Sequence, residues 1–136
     1  MRRLSALLSL PLAGVALSSC GTATVSTAGF KGAQHEVAQT ISNLQADATA
    51  AEEKKICTED LAAAVVSRLG ATKGCEAAIK SQLKEVDNLE LSVESVKLAA
   101  GGTSASAQVK SIHEGKSRPS TVSLVKEAGK WKISGL

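Results

Sequence analysis

The sequence predicts an α+β domain in which N-terminal helices pack on a curved antiparallel sheet of about four strands. Three observations carry that expectation. Apolar residues recur at helical spacing from Ala33 to Val86, the spacing changes to every second residue from Leu89, and Gly101-Gly102 and Ala128-Gly129 punctuate the alternating part. Helices in one block and strands in the next give an α+β layer architecture, because alternating units would be needed for a parallel sheet.

The first twenty residues stand apart from that domain. Arg2 and Arg3 form a basic head, Leu4 to Leu17 an apolar body, and Leu17-Ser18-Ser19-Cys20 a small-residue ending with a cysteine. These are the parts of a secretory signal. The apolar run is too short to span a bilayer, which needs roughly 18–20 residues, and Pro11 interrupts it. The Leu-Ser-Ser-Cys ending resembles the lipobox of a bacterial lipoprotein signal peptide. That resemblance implies cleavage after residue 19, a diacylglyceryl group on Cys20, and a lipid-anchored protein at the extracytoplasmic face of the cell membrane. The neighbours of the arginine pair do not otherwise support a twin-arginine export signal.

Residues 20–32 are rich in Gly, Ala, Ser and Thr and read as the lipidated cysteine and a flexible tether. Phe30, the one large side chain there, is placed to pack on the domain, which is expected to occupy 33–136. From Ala33 to about Glu53, Val37, Ile41 and Leu44 mark the buried stripe of a helix, with Ala48 and Ala51 continuing it weakly. The charged run Glu52-Glu53-Lys54-Lys55 closes this helix at the surface. Thr58-Glu59-Asp60 then reads as a helix start, with Thr58 as cap and two acids in the first turn. Leu61, Val65 and Leu69 form its apolar face, and Gly70 ends it. A third helix runs from Gly74-Cys75 to about Val86 through Ile79 and Leu83.

Strands occupy the remainder. Leu89, Leu91 and Val93 alternate, and the pattern resumes out of phase at Val96 and Leu98, which predicts a bulge near Ser95. After the Gly101-Gly102 turn, Ala105, Ala107 and Val109 share one face. Glu114 to Pro119 reads as a polar connection, Thr121 to Lys126 as a third strand, and Glu127 to Lys130 as a tight hairpin into a last strand carrying Trp131 and Ile133 inward.

Composition narrows the function classes. Without Arg2 and Arg3, 14 basic residues face 13 acidic ones, so the mature chain is nearly neutral and offers no basic stripe for nucleic acid. One Phe, one Trp and no Tyr leave few surfaces for stacking on bases or sugars. With Cys20 lipidated, Cys57 and Cys75 remain as an even pair in an oxidising setting and are expected to form a disulfide. No neighbouring His or third Cys completes a metal-ligand set, and the pair lacks the C-x-x-C spacing of redox sites.

The element order, with the closing Lys130-Trp131-Lys132-Ile133 strand after a Gly-containing hairpin, resembles small exported lipoproteins of the NTF2-like superfamily. That resemblance spans most of residues 30–136 and includes a cysteine pair placed like Cys57 and Cys75. It implies an NTF2-like or cystatin-like cone, a sheet wrapped against its first helix. Larger members insert a hairpin among the helices, and Ala71-Thr72-Lys73 leaves no room for one, so the cone is expected to be shallow. The superfamily holds both enzymes and binding domains, so the fold alone assigns no activity.

Within the domain, Asp47 and Asp87 fall near helix ends or outside the apolar stripes. Ser111, His113 and Trp131 form the candidate pocket set. If alternation holds past Val109, Ser111 and His113 point into the concavity with Ala105 and Ala107. The competing and preferred reading turns Ile112 inward and leaves His113 at the surface; likewise, a lone Trp is first of all a core filler. No nucleophile elbow, phosphate-cradling loop, metal cluster or cofactor motif appears. The expected function is therefore non-enzymatic: a lipid-anchored envelope protein that meets an envelope protein partner or a small ligand. The alternatives are a carrier of a lipid or small apolar molecule in the cone, and an enzyme with His113 as general base.

Overall fold

A computed structural model describes residues 25–86 and 89–136. Cys20, the leader, the start of the tether and Asp87 lie outside them. The elements are α1 (Ala33–Thr49), α2 (Glu53–Lys55), a π-helical turn (Ile56–Asp60), α3 (Ala63–Arg68), α4 (Ala71–Glu85), β1 (Glu90–Leu98), β2 (Ser104–His113), β3 (Lys116–Glu127) and β4 (Lys130–Gly135). The strands pair consecutively and antiparallel in the order β1-β2-β3-β4. The α+β class, the four strands and their position after the helices are as the sequence predicts.

The long first helix forms because Val37, Ala38, Ile41, Leu44 and Gln45 share a face that can be buried. It stops at Thr49, earlier than the charge pattern implies. Ala51 takes a positive φ of 54°, and Glu52 N–H donates to the Asp47 carbonyl, so the chain turns before re-entering a helix. The domain also begins before Ala33. Val25 is buried and Phe30 packs against the core, so this part of the expected tether belongs to the folded body.

The open edge of β1 is met at two points by α1. Gln34 Nε2 donates to the Val96 carbonyl at 3.0 Å, and Gln45 Oε1 accepts from Leu91 N–H at 2.7 Å. Eleven residues of helix and five of strand both span about 16 Å, which lets both glutamines reach the same edge. Two of the backbone groups that could recruit another strand, the Val96 carbonyl and the Leu91 N–H, are thereby satisfied within the chain.

The expected bulge is present, as a register shift between Val93 and Ser95 opposite Val109 and Gln108. Its extra residue, Glu94, pairs with Lys110 at 2.6 Å. The bend lets both outer strands, β1 and β4, reach α1. Val37, Ile41, Ala105, Ala107, Val109, Val122, Leu124, Trp131 and Ile133 form the core between them. The small side chains of β2 are met by close helix packing: Ala107 is fully buried, and Ala38 on α1 is too.

The third strand is longer than the sequence predicts. Lys116 to Pro119, expected as a connection, pairs with Lys110 to His113. The segment is exposed throughout, so no buried face imposes alternation, and cross-strand hydrogen bonding alone makes it a strand. Its hairpin closes through Glu114 and Gly115, both at positive φ, as Ala128 and Gly129 are in the last hairpin.

The disulfide Cys57–Cys75 is formed, with a Cα–Cα distance of 6.1 Å, and ties the π turn to α4. Next to Cys75 in the first turn of α4, Gly74 has no room for a side chain, since a Cβ would lie 2.2 Å from the Leu69 carbonyl oxygen. Gly74→Ala should therefore destabilise the domain by about 2 kcal/mol or more. Gly29→Ala, into open space, should change stability by less than about 0.5 kcal/mol. Urea titrations of the two variants check the contrast.

A candidate polar cleft built on a buried carboxyl pair

A cleft of about 500 Å3 lies between α1, the π turn and the β3–β4 hairpin. Its floor is made by a turn that differs from the helix start the sequence predicts. Thr58-Glu59-Asp60 does not start a helix. Thr58 Oγ donates to the Lys54 carbonyl, and α3 begins only at Ala63. The segment instead adds one residue to the preceding turn, with Leu61 N–H donating back to Ile56 C=O at 3.0 Å. This wider turn buries Ile56, Cys57 and Asp60 together. Leu61 then leaves in an extended conformation and bridges β4, where Ala62 N–H donates to Ile133 C=O at 2.8 Å. Asp60 is thus clamped from both sides, by the disulfide at Cys57 and by the bridge at Leu61.

Asp47, in the last turn of α1, meets it there. Both aspartates are buried, Asp47 at 5% and Asp60 at 3% exposure. Asp47 Oδ1 accepts from Lys55 Nζ at 2.7 Å. That contact raises the Lys55 ammonium above its ordinary value. The Asp60 carboxyl, in its protonated form, donates a hydrogen bond to Asp47. Burial first, and then the neighbouring Asp47 charge and this hydrogen bond, raise Asp60 from 3.8 to about 7, against the opposing pull of Lys55 and Lys132. Asp60 Oδ2 is fully buried and accepts no hydrogen bond.

The walls are polar. Gln39, Thr40 and Asn43 line the α1 side, and Lys130 and Lys132 the β4 side. Lys132 Nζ donates to the carbonyls of Thr58 and Glu59, which the π turn leaves available. Trp131 contributes to the rim, but its ring is buried in the core and its Nε1–H donates to Glu36 Oε2 at 3.2 Å. Lys126 lies over the same ring, 5.6 Å from its centre.

The candidate set Ser111, His113 and Trp131 is not brought together. His113 is exposed at the tip of the β2–β3 hairpin, and Ser111 is half-buried, its hydroxyl donating to the Arg118 carbonyl. Ile112 does not turn inward; it is 38% exposed, as expected of a hairpin that runs beyond the core. Neither Ser111 nor His113 lines any described cleft, whereas Trp131 sits at the Asp60 cleft. Sequence reasoning misses both aspartates, because Asp47 lies near a helix end and Asp60 has the guise of a helix-start acid. The signal for Asp60 is its company: an acid three residues after a disulfide cysteine and next to a core leucine.

Among the described residues, no helix is long and apolar enough to cross a membrane, and no three His, Cys, Asp or Glu side chains gather to hold a metal ion. No known family matches the chain, and no curated protein matches it.

Proposed function

We propose that this is a lipid-anchored, extracytoplasmic binding domain that acts without catalysis. Its lipid would sit on Cys20, its fold would be kept outside the cell by the Cys57–Cys75 disulfide, and its ligand or partner would be met by the cleft over Asp47 and Asp60. The observation that supports the binding reading is the cleft itself, about 500 Å3 in volume, with polar walls from Gln39, Thr40 and Asn43 and the buried Asp47 and Asp60 among its lining residues. Helices followed by a curved sheet support kinship with small exported NTF2-like domains. Ala107 is completely buried, which weighs against a lipid or apolar molecule held behind it; a carrier of such a molecule would use the cleft of about 440 Å3 that has Leu98, Ala105, Leu124 and Val125 in its lining.

One observation favours a second reading. A carboxyl that holds its proton near neutrality beside a second carboxylate is the pairing general acid–base catalysis uses. His113 has no part in it. Catalysis of the isomerase kind would also need free donors for a developing oxyanion, and the two nearest ammonium groups, Lys55 and Lys132, are committed to Asp47 and to backbone carbonyls.

The test is native purification of the wild-type and Cys20→Ala proteins from the envelope. The wild type should partition with membranes, carry a lipid mass, and show in native mass spectrometry a further mass lost on denaturation. Cys20→Ala should lose the lipid and remain uncleaved or misrouted. Normal anchoring of the variant would sink the lipoprotein reading, and a wild-type cleft that captures nothing and cross-links to nothing would sink the binding one.

A further inference from the structure

We propose that the β1–β2 turn is a second membrane contact, resting its uncharged tip and the lysines around it on the anionic headgroups of the bilayer that holds the lipid anchor. The inference rests on the reading of Cys20 as the lipid-bearing residue, and adds which end of the domain faces the membrane.

Chain length sets the first limit. Val25 is already buried in the folded body. From Cys20 to Val25 the chain can span at most about 18 Å, even fully extended. The folded part enters beside the start of α1, where the Thr27 carbonyl lies 3.3 Å from His35 Nδ1. That helix start is seated at the β1–β2 end of the sheet. Gln34 reaches the Val96 carbonyl, just before Leu98, and Glu36 Oε2 lies 3.9 Å from Lys126 Nζ. The Lys126 N–H in turn donates to the Thr103 carbonyl at 2.8 Å. An anchor on Cys20 therefore keeps the bilayer within reach of the β1–β2 turn. In an antiparallel meander the β2–β3 tip lies at the opposite end, about 30 Å away along the ten residues of β2.

The turn has the chemistry for such a surface. Leu98, Ala99, Ala100, Gly101 and Gly102 are all exposed, an uncharged run of a kind that soluble turns ordinarily avoid. The other two hairpins carry charges beside their glycine, Glu114 and Lys116 at one and Glu127 and Lys130 at the other. At the β1–β2 end, Lys31, Lys97 and Lys130 are exposed and make no ion pair among the described residues. The acids nearby are engaged: Glu36 accepts from Trp131 Nε1–H, and Glu127 from Ala63 N–H. Beside the tip, the cleft of about 440 Å3 has Ser104, Ser106 and Ser123 with Lys97 in its lining, hydroxyl and ammonium donors for headgroup phosphates. Cations around an apolar tip suit an anionic lipid surface, since the cations meet the headgroups while the tip enters the interface. Such a contact is weak alone, and the anchor makes it effective by keeping the surface close.

The experiment uses the mature protein purified from the envelope, with its lipid mass measured first. Ala100→Cys and Ser117→Cys, both at exposed positions, each carry a fluorophore at the introduced thiol. The proteins are added to vesicles of phosphatidylcholine and phosphatidylglycerol that bear a headgroup nitroxide quencher. The Ala100 label should be quenched at least about fivefold more strongly than the Ser117 label, and the ratio should fall below about twofold in pure phosphatidylcholine. Lys31→Glu with Lys97→Glu should lower it in the same way. Equal quenching at the two positions overturns the proposal, as does a ratio indifferent to phosphatidylglycerol and to the two lysines. An Ala100 label shielded from water but not quenched, with cross-links between copies, overturns it in favour of a self-association surface. A lipidated protein whose Ala100 label stays in water overturns this inference and leaves the anchor standing. A protein without lipid mass overturns the anchor, and this inference with it.

Discussion

Asp60→Asn should remove most of the pH dependence of folding stability between pH 4 and 8, and should leave the variant more stable than the wild type at pH 8. Asp60 is raised from 3.8 to about 7 in the folded state, chiefly by burial. Between these values the folded protein holds a proton that the unfolded chain has released. Its contribution to stability is therefore complete below pH 3.8 and is lost as pH rises through about 7. The slope in that window approaches about 1.4 kcal/mol per pH unit, with a total of about 2–4 kcal/mol. Asn keeps the shape and a donor for Asp47 and never ionises, so it retains at pH 8 what the wild type has at pH 4. Denaturant midpoints of both proteins at pH 4.5, 6 and 8 check this, because the difference between the curves cancels the titrating groups that do not interact with Asp60. Parallel curves would mean that Asp60 is ionised throughout.

Removal of the disulfide should have an effect of similar size and a different signature. The bond closes a loop of sequence separation 18, and tying such a loop stabilises by about 3 kcal/mol through the unfolded chain. Both cysteines are buried, Cys75 completely, so Cys57→Ala with Cys75→Ala also leaves a small void. For a domain of this size the unfolding temperature should fall by about 10–20 °C. A sharper effect is expected at the site. Cys57 lies in the π turn that carries Asp60, and releasing it frees one side of the clamp. The double variant should therefore show a smaller pH dependence than the disulfide-bonded protein, as water reaches Asp60. Thermal unfolding at pH 5 and pH 8 separates the two effects. A lower unfolding temperature with unchanged pH dependence would show that the bridge at Leu61 holds the turn by itself.

The legibility of each element in the sequence depends on what its signal rests on. The α1 stripe, the bulge near Ser95, the inward alanines of β2 and the final hairpin are readable because a buried face imposes its period on the residues that fill it. Lys116 to Pro119 is not, because a strand exposed on both faces has no period to display. The site is least legible of all. An α-helical reading of Thr58-Glu59-Asp60 gives capping acids in water, and one extra residue in the turn makes one of them a buried carboxyl. Nothing in local propensity distinguishes these outcomes. The distinction comes from Cys57 and Leu61, whose partners, Cys75 and Ile133, lie far along the chain.

The seating of α1 also sets an order of events during folding. Hairpins of the sheet close over turns of a few residues, whereas α1 finds its partners 46 residues away at Leu91, 62 at Val96 and 95 at Trp131. Joining such distant segments carries the larger loop-closure cost, so helix docking is the slow step and the meander the fast one. Although made well before the sheet, α1 is thus among the last of the described elements to be covered. Until Trp131 and Ile133 exist, Val37, Ile41 and Leu44 have no complete surface to bury against. An emerging chain is most exposed to wrong association along α1.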